Sequence, residues 1–167
     1  MRNWFFLLGG VCLWLGLACS KKEDAPETMA PLDRVITTAA PAPRRFLRKT
    51  FTLRKHEAFA FEVPAQCLHP QVRGSFTSYT QGTEGHRVSN EAANIDLLLL
   101  DEQELKDFEH GHGGTVTRSV DSSYEQTIDW ALNSTLDQPR KYYLVFNNSS
   151  GQPPTKFVEA DFTLSFE

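Results

Sequence analysis

The densest cluster of side chains with chemical potential is Glu109-His110-Gly111-His112-Gly113-Gly114. Two histidines two residues apart on an extended segment turn both imidazoles to one side, and neutral imidazole binds zinc or copper. A metal would need a third ligand, for which His86 or Asp107 is the candidate, whereas the flanking glycines favour a solvated loop. Asp96, Asp101 and Glu102 offer oxygens to calcium but lack the dense Asp/Asn/Gly spacing of a calcium loop, so strand-end solvation and helix capping are expected of them. The domain contains no G-x-S-x-G, HExxH, phosphate-binding glycine loop or S-x-x-K box with its companion motifs. The expectation is therefore no catalytic residues and no cofactor. The alternative is a periplasmic metal-binding protein or metal-dependent hydrolase built on His110 and His112.

Binding chemistry has two further candidates. Arg44, Arg45, Arg48, Lys49, Arg54 and Lys55 place six cations in twelve residues with no acid among them. Such a run suits anionic lipid headgroups or an acidic partner, with Arg44, Arg45, Arg48 and Lys49 as the contacts; it equally suits a first strand whose charges discourage edge pairing. Tyr79, Tyr124 and Trp130 are the aromatic candidates for a carbohydrate or peptide cleft, and Trp130 is assigned to the core.

The background against which these residues sit is ordinary for one globular domain. The 167 residues are 40% hydrophobic and 23% charged, with 17 basic against 21 acidic groups and a net charge of −4. Twelve Phe, four Tyr and three Trp argue against disorder. A mean hydropathy of −0.38 argues against a polytopic membrane protein. The acidic balance excludes a general nucleic-acid binder, which needs excess Lys and Arg to neutralise phosphates.

Met1-Arg2-Asn3 is a short cationic start, and residues 4–18 form an uncharged, mostly apolar run that Ser20-Lys21-Lys22 ends abruptly. Because a spanning helix needs roughly 20 apolar residues, this shorter run reads as a secretory signal covering residues 1–18. Leu15-Gly16-Leu17-Ala18-Cys19-Ser20 resembles the lipobox of bacterial lipoproteins. That resemblance implies that Cys19 is diacylated and becomes the mature amino terminus, and Ser20 after it implies passage to the outer membrane. Two or three acyl chains hold a bilayer stably, so the lipid is a membrane anchor. With Cys12 removed and Cys19 thioether-linked, Cys67 has no partner in the chain and reads as a small buried hydrophobe.

Residues 19–45 then form a lipidated start and a Pro/Ala-rich linker, whose residues 20–45 would span on the order of 30 Å as a coil. Residues 46–167 form the domain. Period-two alternation is clearest over residues 158–166 and 59–63, and weaker over 50–54, 71–81, 115–121 and 125–132. Ile95 to Leu100 and Tyr142 to Phe146 are apolar on both faces, as central strands covered on two sides should be. Only Asp101 to His110 reads as helix, capped by Asp101 and ended by Gly111. One short helix cannot supply the crossovers of a parallel sheet. The expected fold is all-β: about eight antiparallel strands in a two-sheet, jelly-roll β-sandwich, with one helix near 101–110.

The succession Asn94-Ile95-Asp96-Leu97-Leu98-Leu99-Leu100, acidic helix, two strands, then Lys141-Tyr142-Tyr143-Leu144-Val145-Phe146-Asn147-Asn148 is similar to bacterial pre-peptidase C-terminal domains and GOLD-like sandwiches. The resemblance covers residues 50–167. It implies a non-catalytic accessory module of exported proteins, with an envelope protein or a polysaccharide as partner and no nucleic acid. For the anchor, labelled palmitate fed to cells should enter the wild-type chain and be absent from a Cys19→Ser variant; equal labelling of the two would refute acylation at Cys19.

Overall fold

A computed structural model describes residues 42–112, 114–149 and 155–166. The signal segment, Cys19 and linker residues 20–41 lie outside the described residues, as does Gly113 of the histidine loop. The described chain folds as two antiparallel sheets, as expected, with nine strands rather than about eight. In order they are β1 (Arg44–Leu53), β2 (His56–Val63), β3 (Gln71–Gln81), β4 (Arg87–Val88), β5 (Ile95–Asp101), β6 (Arg118–Ser123), β7 (Glu125–Ala131), β8 (Arg140–Asn147) and β9 (Lys156–Ser165). A helix, α1 (Glu102–Glu109), follows β5.

The first sheet, A, runs β1-β9-β3, with β4 and β7 sharing the far side of β3; the second, B, runs β2-β8-β5-β6. Most connections pass from one sheet to the other, the pattern of a jelly roll. Two details differ from expectation. The first strand begins at Arg44, so Arg44 and Arg45 belong to the sandwich rather than to the linker. The two-residue β4, pairing Thr80 with Val88 and Gln81 with Arg87, is too short to leave a periodic signal.

Alternation decides which side chains meet. Along β9, Val158, Ala160, Phe162 and Leu164 are buried while Phe157, Glu159, Asp161 and Thr163 are half-buried on the other face. The inner faces interlock around Phe146, whose ring meets Phe51, Phe59, Phe76 and Phe162 edge-on at centroid distances of 5.2, 5.9, 5.9 and 6.2 Å. Edge-to-face packing directs positive ring edges at negative faces and adds about 1 kcal/mol per pair beyond burial. Trp130 is half-buried against this core.

The doubly apolar strands behave as expected because α1 lies across the outside of sheet B. Leu98, Leu100 and Val145 form a second cluster under Leu105 and Phe108. Asp101 caps the helix through the amides of Gln103 and Glu104, and Glu104 answers by accepting from the Asp101 amide. This reciprocal box satisfies otherwise orphaned donors. Gly111, at φ +70°, ends the helix in the left-handed region.

Gly74 faces inward on β3, where a Cβ would lie 2.2 Å from the Asp161 carbonyl oxygen and 2.6 Å from the Phe162 ring. Since backbone cannot yield as a flexible side chain does, Gly74→Ala should lower the unfolding free energy by about 3 kcal/mol, measured by urea denaturation; a midpoint equal to wild type would contradict this packing.

Candidate functional site

With α1 sealing the outside of sheet B, the outer face of sheet A is the broad sheet face left open among the described residues. Its side chains form a grid, because antiparallel register places them opposite one another. Arg48, Asp161, Ser75 and Thr127 make one row across β1, β9, β3 and β7; Thr50, Glu159, Thr77 and Glu125 make the next. Beyond these lies the row Thr52, Phe157 and Tyr79. On the other side Thr163, Arg73 and Asp129 are aligned.

Each acid of the grid except Glu125 meets a guanidinium. Arg45 Nε is 3.0 Å and Arg48 Nε 3.8 Å from the two oxygens of Asp161. Arg73 reaches Asp129 at 3.2 Å, and Arg87 reaches Glu159 at 2.9 Å. The Arg87 guanidinium also lies 3.8 Å from the centre of the Tyr79 ring, which stacks on Phe157 at 5.4 Å and 18°. The hydrogen bond to Glu159 holds Arg87 above its already high guanidinium value, so this cation is permanently charged. A depression of about 420 Å³ opens among Arg48, Thr50, Ser75, Thr77, Glu159 and Asp161. It combines short hydroxyls and carboxylates with the Arg48 guanidinium, and the Tyr79–Phe157 stack stands in the neighbouring row.

The expected contact cluster Arg44, Arg45, Arg48 and Lys49 is divided by the fold. Arg45 and Arg48 converge on Asp161, whereas the Lys49 ammonium turns toward the Phe59 ring, 5.8 Å from its centre. Arg44 stands at the start of β1, level with Leu164. Because β1 pairs only with β9, the run also lies on a sheet edge.

The His110 and His112 rings come face to face, 5.9 Å apart and 15° from parallel. Among the described residues, no group of three His, Cys, Asp or Glu is placed to hold a metal ion. Neither suggested third ligand closes the set: Asp107 accepts from Gln103, and His86 lies 3.6 Å from Glu84. The calcium candidates are engaged structurally. Asp96 accepts from the Ser122 amide and Asn147, Asp101 caps α1, and Glu102 pairs with Lys106. Cys67 is buried as expected, and burial pushes its thiol pKa up, which disfavours the nucleophilic thiolate. Tyr124 is exposed.

Sequence reading did not identify Lys156, only 2% exposed, at the opposite end of β9 from Ser165. Its ammonium donates to the Asn94 carbonyl and feels the charge of Asp96, which accepts from Asn147. The signal was present: Lys156 shares the parity of Val158 and Ala160 and so had to point inward.

No family model matches the chain, and no curated protein matches it. Among solved structures it is similar to TmCBM61, a module in complex with β-1,4-galactotriose, at 13% identity and a TM-score of 0.41, over 71% of this chain and 69% of that one. It is also similar to xylanase 10C of Cellvibrio japonicus in complex with xylopentaose, at 10% identity and a TM-score of 0.41. There 70% of this chain spans 22% of that protein.

Burial lowers the Lys156 pKa below its ordinary 10.5, with Asp96 opposing in part. Between the lowered value and 10.5 the unfolded chain binds more protons than the folded one, so stability at this position rises with pH through that window. The wild type should therefore gain unfolding free energy relative to Lys156→Met as pH climbs from neutral towards 10.5. A difference independent of pH in urea titrations would contradict it.

Proposed function

We propose that this chain is a non-catalytic binding module of the bacterial cell envelope, exported, anchored through an acylated Cys19 in the outer membrane, and engaging a polysaccharide across the outer face of sheet A. The observation that carries the reading is the grid of Arg45, Arg48, Arg73 and Arg87 against Asp129, Glu159 and Asp161, set beside the Tyr79–Phe157 stack on an uncovered sheet.

A sugar chain presents hydroxyls at regular intervals and weakly polar C–H faces between them. Its recognition calls for planar donors and carboxylate acceptors in fixed positions, with aromatic surface alongside. The grid supplies both, each group held by its cross-strand partner. These pairs are about half exposed, and such pairs contribute about 0–1 kcal/mol each. Opening one toward a ligand therefore costs little, while the strands keep the row in register. The hydroxyls of Thr50, Ser75 and Thr77 complete a surface whose positive and negative charges balance.

Glycan-array binding by the full chain should single out one polysaccharide class. Tyr79→Ala and Arg87→Ala should each weaken that binding about tenfold, a loss of roughly 1.4 kcal/mol, while the far-UV circular dichroism stays that of the wild type. Arg48→Ser should weaken it to a similar extent, since Arg48 lines the depression and its 3.8 Å contact with Asp161 is easily given up. Absence of glycan binding, or binding indifferent to all three changes, would overturn the assignment.

A further inference from the structure

The end of the sandwich where the chain enters β1 carries an apolar tip that the described fold leaves uncovered. Two crossings between the sheets meet there, residues 64–70 from β2 to β3 and residues 132–139 from β7 to β8. Cys67 and Thr135 pair as an antiparallel bridge. The Thr135 amide donates to the Cys67 carbonyl at 3.0 Å, and the Cys67 amide donates to the Thr135 hydroxyl oxygen at 3.2 Å. The Thr135 hydroxyl in turn donates to the Pro64 carbonyl, and the Gln66 amide to the Leu136 carbonyl at 2.8 Å. The His69 amide donates to the Ser134 hydroxyl oxygen at 3.3 Å.

Because Cys67 and Thr135 face inward and are buried, alternation turns Leu68 and Leu136 outward, where they are 56% and 70% exposed. Gln66 and His69 hold φ of +58° and +47°, in the left-handed region that side chains with a Cβ avoid. A loosely tied loop would relax from such angles and fold its leucines back against the body. This one is pinned, so the two side chains are presented to solvent by construction.

Connectivity indicates what meets them. Arg44 opens β1 level with Leu164, and Gln71 pairs with Ser165, so the preceding chain joins the domain at this same end. Cys19 lies 25 positions before Arg44. Charges of both signs stand at this end, Arg44 and Arg140 at the starts of β1 and β8 and Glu62 opposite Lys141, while the two leucines themselves are apolar.

Resting on the acylation of Cys19 proposed above, we infer that Leu68 and Leu136 insert into the surface of the bilayer that holds the lipid. The strands then stand upright on the membrane, and the outer face of sheet A is left open to the surrounding medium. Two leucines would bind lipid only fleetingly by themselves, but a short tether makes their encounter intramolecular and raises their effective concentration.

The test uses the full lipidated chain in phosphatidylcholine liposomes, with a fluorophore on Leu68→Cys, Leu136→Cys or, in the turn at the opposite end, Thr83→Cys. The unsubstituted chain reports any labelling of Cys67, and palmitate incorporation is measured on the same samples. Lipid-borne spin labels should quench positions 68 and 136 several-fold more than 83, and the difference should persist in 1 M salt. Palmitate present with equal quenching at all three positions would overturn the tip while leaving the anchor standing. Energy transfer between labelled copies without lipid quenching would assign the leucines to self-association and overturn it equally. Absence of palmitate would overturn the anchor and the inference with it.

Discussion

The register of β9 is the constraint from which the rest of the molecule follows. It is paired on both sides, with β1 and with β3. It supplies Val158, Phe162 and Leu164 to the core from one face, and Phe157, Glu159 and Asp161 to the outer grid from the other. A slip of one residue would bury the two carboxylates and expose Val158, Phe162 and Leu164, so the alternative pairing is excluded by a wide margin. The core and the outer grid are thus specified by the same ten residues. The Phe162 ring lying against Gly74 adds a steric lock, because β3 accommodates it only at a position without a Cβ.

The two outer faces show how covering one sheet frees the other. α1 buries Leu98, Leu100 and Val145, so sheet B is held from both sides. Sheet A then needs no apolar outer surface, and its outward positions are open to Ser, Thr, Asp, Glu and Arg. Within the described residues Cys67 is an unpaired buried thiol, so cohesion comes from packing rather than from cross-links. Phe146 and the four rings around it provide that packing between the sheets, while the charged grid occupies the opposite, outer face of sheet A. Substitutions on the grid are accordingly separable from folding in a way that substitutions around Phe146 are not.

Local signals made much of this architecture legible. The period of two over residues 158–166, the doubly apolar runs in β5 and β8, and the Asp101 to Gly111 helix signature each reflect a force acting within about ten residues. What escaped was set by partners distant in sequence. Arg45 and Arg48 read as part of a basic patch with Arg44 and Lys49 because the acid that meets them, Asp161, arrives only when β9 pairs with β1. β4 escaped because two residues cannot display a period. The outward leucines at 68 and 136 look like ordinary core candidates until the Cys67–Thr135 bridge fixes which neighbours point in.

Lys156 shows that a pattern can be visible and still go unread. Its parity demands burial, while its charge argues for water, and a reading that ranks residue type above position resolves the conflict the wrong way. The fold resolves it by surrounding the ammonium with polar groups, the Asn94 carbonyl among them, at the end of the sandwich remote from the leucine tip. The two ends therefore differ in kind: one is closed by hydrogen bonds among side chains and backbone, the other by a stapled pair of crossings that leaves apolar groups outside. A sandwich whose inner faces alone held it together would have no reason to differentiate its ends. The apolar end is the one at which the chain enters β1, and the polar end is the one that holds Lys156.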